Sequence, residues 1–136
     1  MMMSPYLTYH GDCRAAFEFY EKCGIGKIDG MRPHAGSPAE EHVPLEWRDK
    51  ILHARLLVGD QVLMGSDAPP DHQTTPQGFS ISLQVKDPTE AERLFAALSQ
   101  GGIVKKPIQK TFWSEAFGML VDQFNIPWMV NCIAEV

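Results

Sequence analysis

Residues 78–101, GFSISLQVKDPTEAERLFAALSQG, constrain the fold more than any other part of this chain. Phe79, Ile81, Leu83 and Val85 alternate with Ser80, Ser82 and Gln84. A period of two with one apolar and one polar row predicts a strand covered on one side only. A helix is predicted next. Asp87 can accept from its free amide groups, Pro88 suits the first helical position, and Glu90 completes a capping box. Ala91, Leu94, Phe95 and Leu98 make one apolar stripe, and Gly101 and Gly102 end the helix. The helix therefore covers the apolar side of the strand and leaves its polar side facing elsewhere.

The same sentence is written earlier in the chain. After the β-prone run Pro5–His10, the apolar residues Ala16, Phe19, Tyr20 and Cys23 follow Asp12 at the offsets by which Ala91, Leu94, Phe95 and Leu98 follow Asp87. Strand, aspartate, helical stripe and glycine stop thus occur twice, a pattern-level repeat. Lys27–Met31 is a predicted second strand. Residues 31–50, with Pro33, Pro38 and Pro44, have no sustained period and form a long connection. Ile51–Val58 and Gln61–Gly65 read as a hairpin turning at Gly59-Asp60. In it Ala54, Leu56 and Val58 fit a covered face, which leaves His53, Arg55 and Leu57 on the other. Ile103–Gln109, Phe112–Val121 and Ile126–Ile133 read as three further strands. The expectation is an α+β protein, one domain over residues 1–136, with module one at about 4–66, a linker at 67–77 and module two at about 78–134. Each module is β-α-β-β-β with its helix on one face of a mixed sheet.

Composition removes several functions. A net charge of −5 without a basic stripe argues against nucleic-acid binding, which depends on neutralising phosphates. No apolar run reaches the length of a membrane span, and the first residues, MMMSPYLTYHG, lack the form of a signal peptide, so a cytoplasmic location is expected. Cys13, Cys23 and Cys132 are odd in number and widely spaced, which fits packed, reduced thiols better than a zinc site or disulfide framework. His34, His42 and His72 fall in predicted loops and are expected in solvent.

PYLTYHGDCRAAFEFYEK, HARLLVGDQVLMGSD and FWSEAFGMLVDQFNIPWMVNC together resemble the PhnB-like branch of the vicinal oxygen chelate superfamily, which includes glyoxalase I, bleomycin-resistance proteins and extradiol dioxygenases. Asn125 stands where this branch usually has glycine, and asparagine also accepts a left-handed turn. The resemblance implies two modules curled into a cup, helices outside and ligand on the concave face. In metal-dependent members, the first and last strands of each module supply His or Glu to a divalent ion. Those positions fall at or near Pro5, Met64, Ser80 and Met129, none of which suits a hard ion, so no metal cofactor is expected. The branch also carries a demethylubiquinone methyltransferase label, yet no glycine-rich loop follows a strand here.

On that cup, the pocket residues are expected to be His53, Arg55, Met64, Ser80, Ser82, Trp113, Met129 and Asn131. His53 fits either a half-buried histidine bonded to a neighbour or a pocket acid/base. Arg55 fits either a salt bridge or a grip on a carboxylate or phosphonate. Trp113 fits a core aromatic or a stacking platform. Three functions follow. The first is a small-molecule binding protein, homodimeric and without the standard metal. The second is a metal-dependent lyase, isomerase or dioxygenase-like enzyme on a small oxygenated or phosphonate-type substrate, with a divalent ion in a non-standard site. The third is a structural or regulatory dimer whose cup is filled by its own side chains.

Overall fold

The computed structural model describes residues 1–133. The chain divides into two compact units, Met1–Thr74 and a second beginning at Thr75. The first contains β1 (Tyr6–Tyr9), α1 (Cys13–Lys22), β2 (Lys27–Pro33), β3 (Ile51–Val58) and β4 (Gln61–Asp67); the second contains β5 (Ile81–Val85), α2 (Pro88–Ser99), β6 (Ile103–Gln109), β7 (Ala116–Val121) and β8 (Pro127–Cys132). The sheets run β1-β4-β3-β2 and β5-β8-β7-β6. In each, the first strand pairs parallel with the last, and the remaining pairs are antiparallel. The twice-written β-α-β-β-β pattern is therefore the architecture, as two open four-stranded mixed sheets, each carrying one helix. The expected end of module two at residue 134 lies outside the described residues.

In the second unit the predicted cap forms: the Asp87 carboxylate accepts from the Thr89 amide at 3.0 Å. Glu90 does not close a capping box, because Arg93 takes both of its oxygens at 2.9 and 2.6 Å. Ala91, Leu94, Phe95 and Leu98 are buried as the stripe requires. Phe95 settles over Gly118 of β7, where an added Cβ would meet the ring at 2.5 Å. β7 starts at Ala116, later than expected, because Thr111 and Ser114 close a turn through the Thr111 amide and the Ser114 carbonyl. Between β7 and β8, buried Asp122 accepts from the amides of Phe124 and Ile126 at 2.8 and 3.0 Å and from the Trp128 indole at 2.8 Å. Asn125 in this turn has φ +70°, the left-handed geometry that its place in the sequence calls for.

The first unit repeats the plan with a different cap. Asp12 precedes α1 but makes no side-chain cap. Its task falls to Asp67, the last residue of β4, which is only 3% exposed. One Asp67 oxygen accepts from the amides of Gly11 and Cys13 at 3.0 and 2.9 Å, and the other from Ile51 at 2.8 Å. A single carboxylate thus joins the start of α1, the start of β3 and the end of β4. Residue 67, expected in the linker, is a structural post, and Ala68 after it is also buried.

The helical stripe also shifts. Cys13, Ala16, Phe17 and Tyr20 face inward, whereas Phe19 is half-buried. Phe17 lies over Gly65, where a Cβ would meet its ring at 3.1 Å, as Phe95 lies over Gly118. All three cysteines are buried, and none forms a disulfide among the described residues. Burial pushes the Cys13 thiol well above its ordinary range, and the Asp67 charge adds to the shift. His34, expected in solvent, is only 4% exposed. It sits at the neck of the 34–50 connection, where its Nδ1 donates to the Lys50 carbonyl at 2.9 Å.

Phe17→Ala and Leu94→Ala are each expected to lower unfolding free energy by about 2–5 kcal/mol, as large-to-small core changes do. Phe19→Ala should cost clearly less, and urea denaturation of the three variants checks the order. Asp67→Ala orphans three amides and should cost about 3 kcal/mol or more by the same measurement, whereas Asp12→Ala should be near neutral.

Candidate functional site

A sheet with one helix has one covered side and one open side, and alternation decides which residues stand on each. On the first sheet, Leu7 and Tyr9 of β1, Ala54 and Leu56 of β3, and Leu63 and Gly65 of β4 are buried on the helix side. Tyr6 and Thr8 therefore take the open side. Register then carries the open row across the sheet: Tyr6 stands beside Met64, Met64 beside Arg55, and Arg55 beside Gly30. One row over, Thr8 stands beside Ser66 and His53 beside Arg32. His53, Arg55 and Met64 share this side; the hairpin alternation predicts it for His53 and Arg55, and strand register adds Met64.

The contacts on this face are polar and loosely held. The Tyr6 hydroxyl is 3.2 Å from His53 Nδ1, and the two rings stack with centroids 5.8 Å apart. Arg55 Nε lies 3.6 Å from Asp29 Oδ2, with the two side chains 44% and 46% exposed. An ion pair so exposed is worth well under about 1 kcal/mol, so Arg55 can exchange its partner. Tyr6, Gly30 and Arg32 were not singled out by alternation within one strand. Their relation to His53 and Arg55 is a cross-strand register, and the bulge at Asp29 between Ile28 and Gly30 resets it.

The second sheet has an open side of another character. Trp128, Val130 and Cys132 of β8 are buried toward α2, which puts Met129 and Asn131 on the open side. Ser82 stands beside Met129, and Gln84 beside Asn131. Phe117 of β7 faces Asn131, and the Trp113 ring lies 5.5 Å from Phe117. Ser80 lies one residue before β5, outside the paired register. The Asn131 side-chain carbonyl is buried without a hydrogen-bond partner among the described residues. Such an orphan acceptor costs about 1–3 kcal/mol.

The fold implies a divalent ion in some relatives, and the donor chemistry here does not fit one. On the two open sides the first-strand and last-strand residues that face each other are Tyr6 with Met64 and Ser82 with Met129. The first-strand residue facing Met64 is Tyr6, one along from Pro5. Thioethers are soft donors, and a phenol and a hydroxyl give little charge to a hard ion. Among the described residues, no three His, Cys, Asp or Glu side chains gather as a metal site. Nor do these largely antiparallel sheets offer the parallel, doubly wound crevice that binds nucleotide cofactors.

Comparison with known proteins agrees with this architecture. A family model described as 3-demethylubiquinone-9 3-methyltransferase matches residues 1–131. Protein YjdN of Escherichia coli strain K12 is 31% identical over 144 residues, covering 99% of this chain and 97% of the relative. The crystal structure of PA1353 from Pseudomonas aeruginosa is 45% identical, covers 99% of both chains and superposes with a TM-score of 0.89. A Bacillus cereus structure described as a PhnB protein superposes at 0.82 with 19% identity, covering 97% of this chain and 99% of that one. The chain belongs to the 3-demethylubiquinone-9 3-methyltransferase-like (PhnB) family, and at lower identity it shares its fold with structures described as glyoxalase and glyoxalase/bleomycin resistance/dioxygenase proteins.

The Asn131 carbonyl supplies a test of whether the second open side is kept for a ligand. Asn131→Leu removes the orphan and should raise unfolding free energy by about 1 kcal/mol. A loss of stability in urea denaturation would mean that the amide is held by the protein itself.

Proposed function

We propose that this protein binds a small molecule on the open sides of its sheets and does so without the divalent ion used by metal-dependent relatives. One observation supports the proposal: neither the matched positions Pro5, Met64, Ser80 and Met129 nor Tyr6 and Ser82, which stand beside Met64 and Met129 in the sheets, carry an imidazole or a carboxylate. The sides that remain are polar but uncrowded. His53, Arg55 and Met64 supply one, and Ser82, Trp113, Met129 and Asn131 the other, with Ser80 one residue before β5. Such mixtures of aromatic surface and a few polar groups suit small-molecule recognition. Tyr6 and His53, stacked and within hydrogen-bond distance of each other, offer polar atoms to a ligand.

A homodimer in the cytoplasm completes the proposal. The strand orders leave β1 and β2 as edges of the first sheet and β5 and β6 as edges of the second. Unpaired edges invite partners, and two-fold pairs are the commonest closed assembly. No helix among the described residues is long and apolar enough to cross a membrane.

Native mass spectrometry of tag-free protein tests these points together. The expected spectrum shows a dimer, a retained small molecule and no stoichiometric metal. Zn²⁺, Mn²⁺ and Ni²⁺ should leave the melting temperature unchanged. One ion per chain that His53→Ala removes would make His53 a ligand in a rearranged site and turn the conclusion toward a metal-dependent enzyme.

A further inference from the structure

Gly30 stands in mid-strand just after the bulge at Asp29, and no neighbouring atom requires the absence of a side chain there. Its φ is not in the left-handed region, and a Cβ built on it meets no atom within 4 Å. Packing explains Gly65 and Gly118, which lie under aromatic rings, but not Gly30. A strand glycine marks a bulge or a close approach to the backbone; the bulged residue here is Asp29, and the space over Gly30 is left free for an approaching group. The residue beside Gly30 across the sheet is Arg55, and two residues on Arg32 stands beside His53.

From this juxtaposition we infer that the open side of the first sheet is an oxyanion site, with Gly30 kept small so that an anionic group reaches Arg55. The inference rests on the binding function proposed above and names the class of ligand. A guanidinium offers a planar fork of N–H donors that matches a carboxylate or a phosphonate through two parallel bonds. Arg55 is held only by the long, exposed contact to Asp29, 3.6 Å, which an incoming anion can replace. Arg32 has no side-chain partner among the described residues, so a second cationic fork is open on the same side. The stacked Tyr6 and His53 rings give the flat wall against which the ligand's carbon skeleton lies. The ligand is thus a compact organic molecule carrying a carboxylate or a phosphorus oxyanion.

The test uses benzoate and phenylphosphonate as probes on ¹⁵N-labelled full-length protein, with sodium chloride at matched ionic strength as control. At least one probe should give saturable amide shifts at Gly30, Arg32 and Arg55, and the tighter of the two tells carboxylate from phosphonate. Gly30→Val should weaken that binding tenfold or more while leaving the melting temperature unchanged, and Asp29→Asn should strengthen it severalfold by freeing Arg55. If Gly30→Val does not fold, Gly30→Ala and Arg55→Gln take its place with the same expected loss. Failure of both probes to saturate, or equal binding by the Gly30 variants, overturns the oxyanion site. A neutral molecule retained in native mass spectrometry would then leave the binding function standing, whereas no retained molecule would remove both.

Discussion

A carboxylate removed from water must be surrounded by donors, and each half of this protein is arranged around one that is. Asp67 collects three amides from the beginnings of α1 and β3, and Asp122 collects two amides and an indole in the turn before β8. Both lie at junctions where backbone groups would otherwise be stranded, since neither a helix start nor a tight turn can satisfy its own amides. Charged acceptors make the stronger hydrogen bonds, so these contacts fix where elements begin. With α1 started by Asp67, Phe17 falls over Gly65, and with α2 capped by Asp87, Phe95 falls over Gly118. That contact seals one side of each sheet and leaves the other side free.

The open sides follow from this economy. Each sheet has a single helix, so half of its side chains are never required by the core. On the first sheet those positions hold Tyr6, His53, Arg55 and Met64; on the second they hold Ser82, Phe117, Met129 and Asn131. The first is cationic and the second aromatic with an unsatisfied amide oxygen. The two repeats, alike in frame, have thus diverged in the side chains of their open sides.

What the sequence made legible was whatever depends on short spacing. The strand around Ser82, the Asp87 cap, the α2 stripe and the turn at Gly59-Asp60 are all local, and the structure has them. The side of β3 that carries His53 and Arg55 follows from alternation alone. Phe17 was missed because matching α1 to α2 by offset favoured Phe19, and the two residues flank the same arc of the helix. The role of Asp67 was hidden because its partners Gly11 and Cys13 are far away in sequence. His34 looked solvated for the same reason, since only the closing of its connection buries it against Lys50. Tyr6 and Arg32 belong with His53 through strand register, which the bulges at β2 reset and no periodicity reports.

All strand pairings described here fall within one or the other unit, and in each the first strand pairs with the last. This has a consequence for the order of events during synthesis. β1 leaves the ribosome early but cannot take its place until Met64 and the residues after it have emerged, because β4 is its sheet neighbour. Asp67 arrives at the same moment, so strand docking and the capping of α1 are completed by one short stretch. The nascent first half is therefore an unfinished sheet until that stretch appears. From that point every strand partner of the first sheet is already in the chain, because its pairings all lie within Met1–Thr74.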